Sequence, residues 1–312
     1  MKFFLIQIII PFFLFFNNIY SQCGCPSDIP TFNINPYAGT TNVGIIPEKH
    51  LRFNIFLLHS FGNKYYENDV ISNPSGSALD FNSNFTSFAI GYGWNPKFST
   101  DIETGYFFNK TSQYSKYNEI GKGFSNTTLN IKYSLFNDIE NEFEMTLGGG
   151  VKIPLQLYPI LLNNKLGPLS ENLQPSTGAY SGVFQSFLHK GFLTSNWHLF
   201  LINRYEINSK NRQNYQFGNS CYSSIFGTIL LLPKTTIIFE LRNEIHGKDN
   251  TNGIVNINTG GYSFTFVPQI NYNFDKAYIS IIYDLPIYHN FIGNQMGLSY
   301  SIGLNLSWQF KI

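Results

Sequence analysis

The sequence predicts an all-β fold, a transmembrane barrel of about twelve antiparallel strands connected up-and-down. Three observations predict it. Segments in which apolar and polar residues alternate recur from residue 48 to the end of the 312-residue chain, and period-2 alternation places successive side chains on opposite faces of a strand. The connections between these segments alternate short and long. Aromatic residues make up 17% of the chain and charged residues only 12%, about half the usual quarter, which suits a wall facing lipid.

The elements follow in order. Residues 1–21 read as an export signal, with Lys2 as its charge, Phe3 to Phe16 as its apolar run and Ser21 before the cut, so that the mature chain begins at Gln22. The run contains Pro11 and falls short of the roughly 20 apolar residues of a spanning helix, as does every later stretch. Residues 22–47 are polar, rich in Pro, Asn, Thr and Gly and without period, an irregular segment and candidate lumen plug. Cys23, Cys25 and Cys221 are too few for a disulfide scaffold.

The barrel is expected over 48–312. Its strands are read at 48–62, 81–95, 99–111, 123–137, 142–155, 178–190, 196–208, 217–231, 235–247, 261–273, 277–287 and 298–312. The last is the cleanest: Leu298, Tyr300, Ile302, Leu304, Leu306, Trp308, Phe310 and Ile312 alternate with small or polar residues. Fifteen such residues exceed the usual five or six of a soluble strand but fit a tilted bilayer crossing. Strands six and eight carry apolar residues on both faces. Short connections fall at Asn95–Phe98, Asp138–Asn141, Gly191–Ser195, Leu232–Lys234 and Phe274–Lys276, and long ones at 63–80, 112–122, 156–177, 209–216, 248–260 and 288–297. In outer-membrane barrels tight turns are periplasmic and loops external. That topology sends Trp94, Trp197 and Trp308 to the periplasmic rim as an aromatic girdle.

Alternation also sorts the charges. Strand five sets Glu142, Glu144 and Lys152 opposite Phe143, Met145 and Leu147. Strand seven sets His198, Arg204 and Glu206 opposite Trp197, Leu199 and Leu201. Strand nine sets Glu240, Arg242, Glu244 and His246 opposite Ile237, Phe239 and Leu241. A Lys or Arg facing lipid at mid-depth costs about 2–4 kcal/mol, so these ten residues are expected to line the lumen. They serve either a solute path or an ion-pair network that fills the barrel, twelve strands lying between filled and open sizes. On the first reading, replacing Glu240 and Glu244 by Gln leaves a folded barrel shifted toward anions.

Other chemistry has little support. A net charge of +1 without Lys/Arg clusters excludes nucleic acid as a partner. No HExxH, GxSxG or paired CxxC occurs, and no catalytic residue, metal site or cofactor is assigned. His189 and His198 could face each other across a turn and suit a metal pair, but a polar pair is the plainer expectation. His59 and His289 stand at the height a lipid-directed hydrolase would need.

Thr259-Gly260-Gly261, Val267-Pro268-Gln269, Asp284-Leu285-Pro286-Ile287-Tyr288, Gly293-Asn294-Gln295 and Gly39-Thr40-Thr41-Asn42-Val43-Gly44 carry a resemblance. Over about a quarter of the chain it resembles the outer-membrane transporters of the meta-pathway phenol-degradation family, of Bacteroidota type. Pro268-Gln269 stands where such proteins often have Pro-Gly. The resemblance implies a barrel that transports small solutes, hydrophobic ones among them, and no catalytic residue. The expected function is an outer-membrane channel or transporter. A lipid-directed hydrolase and a non-conducting structural or adhesive barrel are the alternatives. The expected partners are outer-membrane lipid, a small solute and the barrel-assembly machinery, which would read the C-terminal strand.

Overall fold

Alternating residues bury one face of each strand and leave the other outside, and a sheet that hydrogen-bonds its first strand to its last has no edge left to satisfy. The computed structural model, which describes residues 44–138, 141–161, 167–192, 197–274 and 277–312, shows that solution. Twelve antiparallel strands close a barrel: β1 (His50–Gly62), β2 (Asp80–Asn95), β3 (Phe98–Gln113), β4 (Thr127–Asp138), β5 (Phe143–Ile153), β6 (Ser181–Phe192), β7 (Trp197–Asn208), β8 (Ser220–Leu232), β9 (Thr235–His246), β10 (Gly261–Asn273), β11 (Ala277–Gly297) and β12 (Tyr300–Lys311). Each pairs with its sequence neighbours. β1 closes on β12 in unbroken register from His50↔Lys311 to Phe61↔Tyr300.

Tight turns gather at one end, the turn rim, and longer connections at the other, the loop rim. Among the described residues no helix is long and apolar enough to cross a membrane; the one helix is a 3₁₀ turn at Glu171–Leu173 in a loop. The predicted export signal, Cys23 and Cys25 lie outside the described residues.

The loop rim departs from the expected pattern. Residues 288–297 continue β11 as strand instead of forming a loop, leaving only Leu298 and Ser299 before β12. Beyond Asp284 this strand leaves β12 and pairs with Lys64–Asn68, half of a small hairpin inside the first loop. Its ladder with β10 skips Val267–Pro268 opposite Tyr283–Asp284, where Pro268 has no N–H to donate. Residues 118–124 form a separate strand against the loop end of β3, so β4 begins at Thr127 and not near 123.

Candidate functional site

Inward and outward residues alternate along every wall strand, and the interior chemistry is arranged by height. Near the turn rim, β1, β3 and β4 project Arg52, Asp101 and Lys132. Lys132 Nζ lies 2.9 Å from Asp101 Oδ2, their side chains 3% and 0% exposed. Asn130 Nδ2 donates to the other carboxylate oxygen at 2.9 Å, and Arg52 Nε donates to Gln309 Oε1 at 2.8 Å. The intervening strand β2 turns only Ala89, Gly91 and Gly93 inward, leaving space beside these larger groups. Ile46, fully buried, and Pro47 occupy it: side chains on Gly91 and Gly93 would collide with them. Ile45 N donates to Glu144 Oε1 at 3.2 Å. The described end of the irregular N-terminal segment thus sits inside the turn-side mouth.

Across the barrel the charges lie toward the loop rim. Glu206 on β7 is held by Arg204 two residues away, with Nη2 at 2.6 Å, and by Lys152 from β5. Glu240 on β9 accepts from Arg242 Nε at 3.0 Å, Ser224 Oγ at 2.7 Å and Gln269 Nε2 at 2.9 Å. Arg242 reaches Asp284 on β11 at 3.4 Å. Residues i and i+2 share a strand face, so Arg204/Glu206 and Glu240/Arg242 pair within their own strands. Strands β5, β8, β10 and β11 supply the remaining partners. Buried charges persist only when paired and hydrogen-bonded, and these are.

Apolar groups fill the complementary quadrants. Below the second ion network, the inward rings of β6 to β8 stack: Phe226 and Phe200 at 4.9 Å, Phe200 and His189 at 4.6 Å, with Phe187 and Ile238 completing the cluster. His189 Nε2 and His198 Nδ1 stand 3.0 Å apart. They face each other across the β6–β7 turn as the sequence suggests, and among the described residues no group of three His, Cys, Asp or Glu could hold a metal. Above the first network, Phe56, Leu58, Phe85, Phe107, Val267 and Ile282 form a second cluster, into which β12 fits only because Gly303 leaves room. A Cβ there would meet the Phe56 ring at 2.9 Å.

Strand parity carries Glu144, Lys152, His198, Arg204, Glu206, Glu240, Arg242, Glu244 and His246 inward. Glu142 differs: it lies in the turn before β5 with φ +47°, because the strand begins one residue later than the alternation suggests, and its carboxylate packs against Gly191. Trp94, Trp197 and Trp308 all stand exposed on the outer face at the turn rim. His59 points outward and bonds Asn84, whereas His289 is buried near Leu298 O; neither has a serine hydroxyl as partner among the described residues. Arg52, Asp101, Glu103 and Lys132 join the inward set, as does Asp284, which the sequence marks only through the family resemblance. Their signal is one of parity: each of the first four sits between two outward residues.

No family model matches the chain, and no curated protein matches it. Among solved structures, the chain is similar to the COG4313 outer membrane channel from Pseudomonas putida F1, with a TM-score of 0.68, 13% identity, and 89% of this chain and 99% of that one covered. The two share a barrel fold. More distant matches include the NanC porin, with TM-score 0.46 and 12% identity over 80% of this chain and 98% of that one, and a Pseudomonas aeruginosa FadL homologue, with TM-score 0.45 and 9% identity over 94% and 100%.

Proposed function

We propose that the protein is an outer-membrane channel or transporter for small solutes, held closed in this conformation. The observation that carries the reading is the contrast between the two faces of one wall. The outer face is apolar, with Trp94, Trp197 and Trp308 at one rim, as a bilayer demands. The inner face carries buried charges that a merely structural filling does not need, since apolar residues of similar volume stabilise as well or better. The seating of Gly44–Pro47 against β2 and Glu144 supports residues 22–47 as the plug, and the tight turns support a periplasmic position for that mouth.

Planar-bilayer recording tests this. The full chain should be silent or flicker, and a chain lacking residues 22–47 but folded by heat-modifiable gel mobility should show discrete conductance. Silence of both, with no solute uptake into liposomes, would favour a structural barrel, and fatty-acid release from the lipid would favour an enzyme.

A further inference from the structure

At the loop rim six stretches of chain converge: the Lys64–Asn68 arm, the loop end of β2, the loop end of β3, residues 170–173, residues 258–259 and the far end of β11. They enclose a cavity of about 180 Å³. Every residue lining it is neutral. Tyr65, Phe81 and Tyr114 give it apolar ring surface, while Asn172, Asn258 and Asn294 bring three carboxamides that make no side-chain hydrogen bond among the described residues. Gln295 on the wall is 3% exposed. Its Nε2 donates to the carbonyls of Gly260 at 2.8 Å and Ile292 at 2.6 Å, which fixes the amide against a flip. Its Oε1 is left as a buried acceptor without a partner.

A buried acceptor, a set of uncommitted amides and aromatic faces, with no counter-ion for a charge, describe a particular ligand. At ~30 Å³ per water the volume is about six waters, the scale of one sugar ring. We propose that this cavity binds a neutral polyhydroxylated ligand, a monosaccharide or the terminal ring of a glycan, with a hydroxyl donating to Gln295 Oε1. Vicinal hydroxyls are donor and acceptor at once and match carboxamides, and the C–H face of the ring packs on the tyrosines. A charged analogue would be desolvated with no partner. Binding needs no transport step, so the site stands or falls apart from the channel reading.

The test uses the full chain in detergent micelles and saturation-transfer NMR with glucose, galactose and N-acetylglucosamine, each compared with glucuronate and glucosamine. Neutral sugars should bind with Kd on the order of 1 mM and the charged analogues about tenfold more weakly. Gln295→Met should abolish the signal; because Gln295 also ties two carbonyls, the Asn172→Ala/Asn294→Ala double variant, on the exposed side, should lower affinity at least about fivefold with heat-modifiable mobility unchanged. Binding of free monosaccharides alone identifies the free sugar as ligand, and equal binding of a trisaccharide identifies a glycan end. Absence of transfer from every neutral sugar, equal binding of the charged ones, or undiminished binding in the folded double variant would overturn the proposal.

Discussion

The wall from β1 to β4 and the wall from β6 to β9 hold the same two materials in opposite order. On the first, charges lie toward the turn rim, with Arg52, Asp101 and Lys132, and phenylalanines toward the loop rim. On the second, the Phe187–Phe200–Phe226 stack is at the turn side and the Arg204–Glu206 and Glu240–Arg242 pairs at the loop side. Toward either rim an ionic wall thus mostly faces an apolar one, with two exceptions: Lys110 is buried beside Phe107 at the loop end of β3, and at mid-height Phe226 neighbours Glu240. The difference teaches why neither lumen chemistry can be assigned to the barrel as a whole. A narrow lumen excludes bulk water, so its charges must find partners in the wall beside them, and the rings take the volume that is left.

The largest effects should come from breaking one material at a time. Glu206→Ala leaves Lys152 and Arg204 as buried charges without their carboxylate, and should cost about 3–5 kcal/mol; Phe200→Ala opens a cavity in the stack and should cost about as much, 3–5 kcal/mol. Denaturant unfolding in micelles measures both. They part in rescue: a Lys152→Met/Arg204→Met/Glu206→Leu variant should regain most of the loss from Glu206→Ala, because a buried ion pair is replaceable by apolar groups. If Glu206→Ala unfolds at the parent midpoint, the charges are solvated and the closed-lumen picture fails. The Glu240 and Glu244 replacements, expected from the sequence to leave a folded barrel, meet the same burial at Glu240. Glu240 is 1% exposed and holds Arg242, so its replacement by Gln should destabilise the barrel before any selectivity shift is read.

Next comes the contrast between the faces of β9. Leu241 faces outward while its neighbours Glu240 and Arg242 are buried inside, so Leu241→Arg should cost about 2–4 kcal/mol and reduce the heat-modifiable folded fraction; normal insertion would show the register wrong by one residue. Gly303→Ala probes the loop-side cluster, and the contact with Phe56 at 2.9 Å should cost about 1–3 kcal/mol as overpacking. A normal unfolding midpoint for it would mean that cluster is loosely filled.

The smallest effect concerns pH. Burial, and next the carboxylate of Asp249, push the loop carboxyl of Glu171 up to about 7. A raised folded-state value for an acid means that folding favours its neutral form, so the loop is held best below the ordinary carboxyl value of 4.5 and loosens as pH rises from there through about 7. Hydrogen exchange of residues 171–174, corrected for intrinsic rates, should show less protection at pH 8 than at pH 6, and Glu171→Gln should level the two. Equal protection of the native loop at both would remove Glu171 as the cause.

The sequence by itself determined the barrel. Period-2 alternation with a lipid-compatible face leaves few other ways to satisfy every backbone group, and it placed all twelve strands and sent Glu206, Glu240 and Arg242 to one side and the tryptophans to the other. Strands six and eight look ambiguous in sequence because Phe187 and Phe226 belong to the inner stack, a fact that requires knowing what lies opposite them. The tertiary structure decided what alternation cannot encode. Which buried carboxylate meets which cation depends on register and on neighbours such as Gly91, and Lys152 reaches Glu206 two strands away. Residues 288–297 look like a loop by their Gly and Asn, yet they become strand because the Lys64–Asn68 arm offers them a partner. Face follows from spacing along one chain, whereas partnership follows from distance between segments far apart in it.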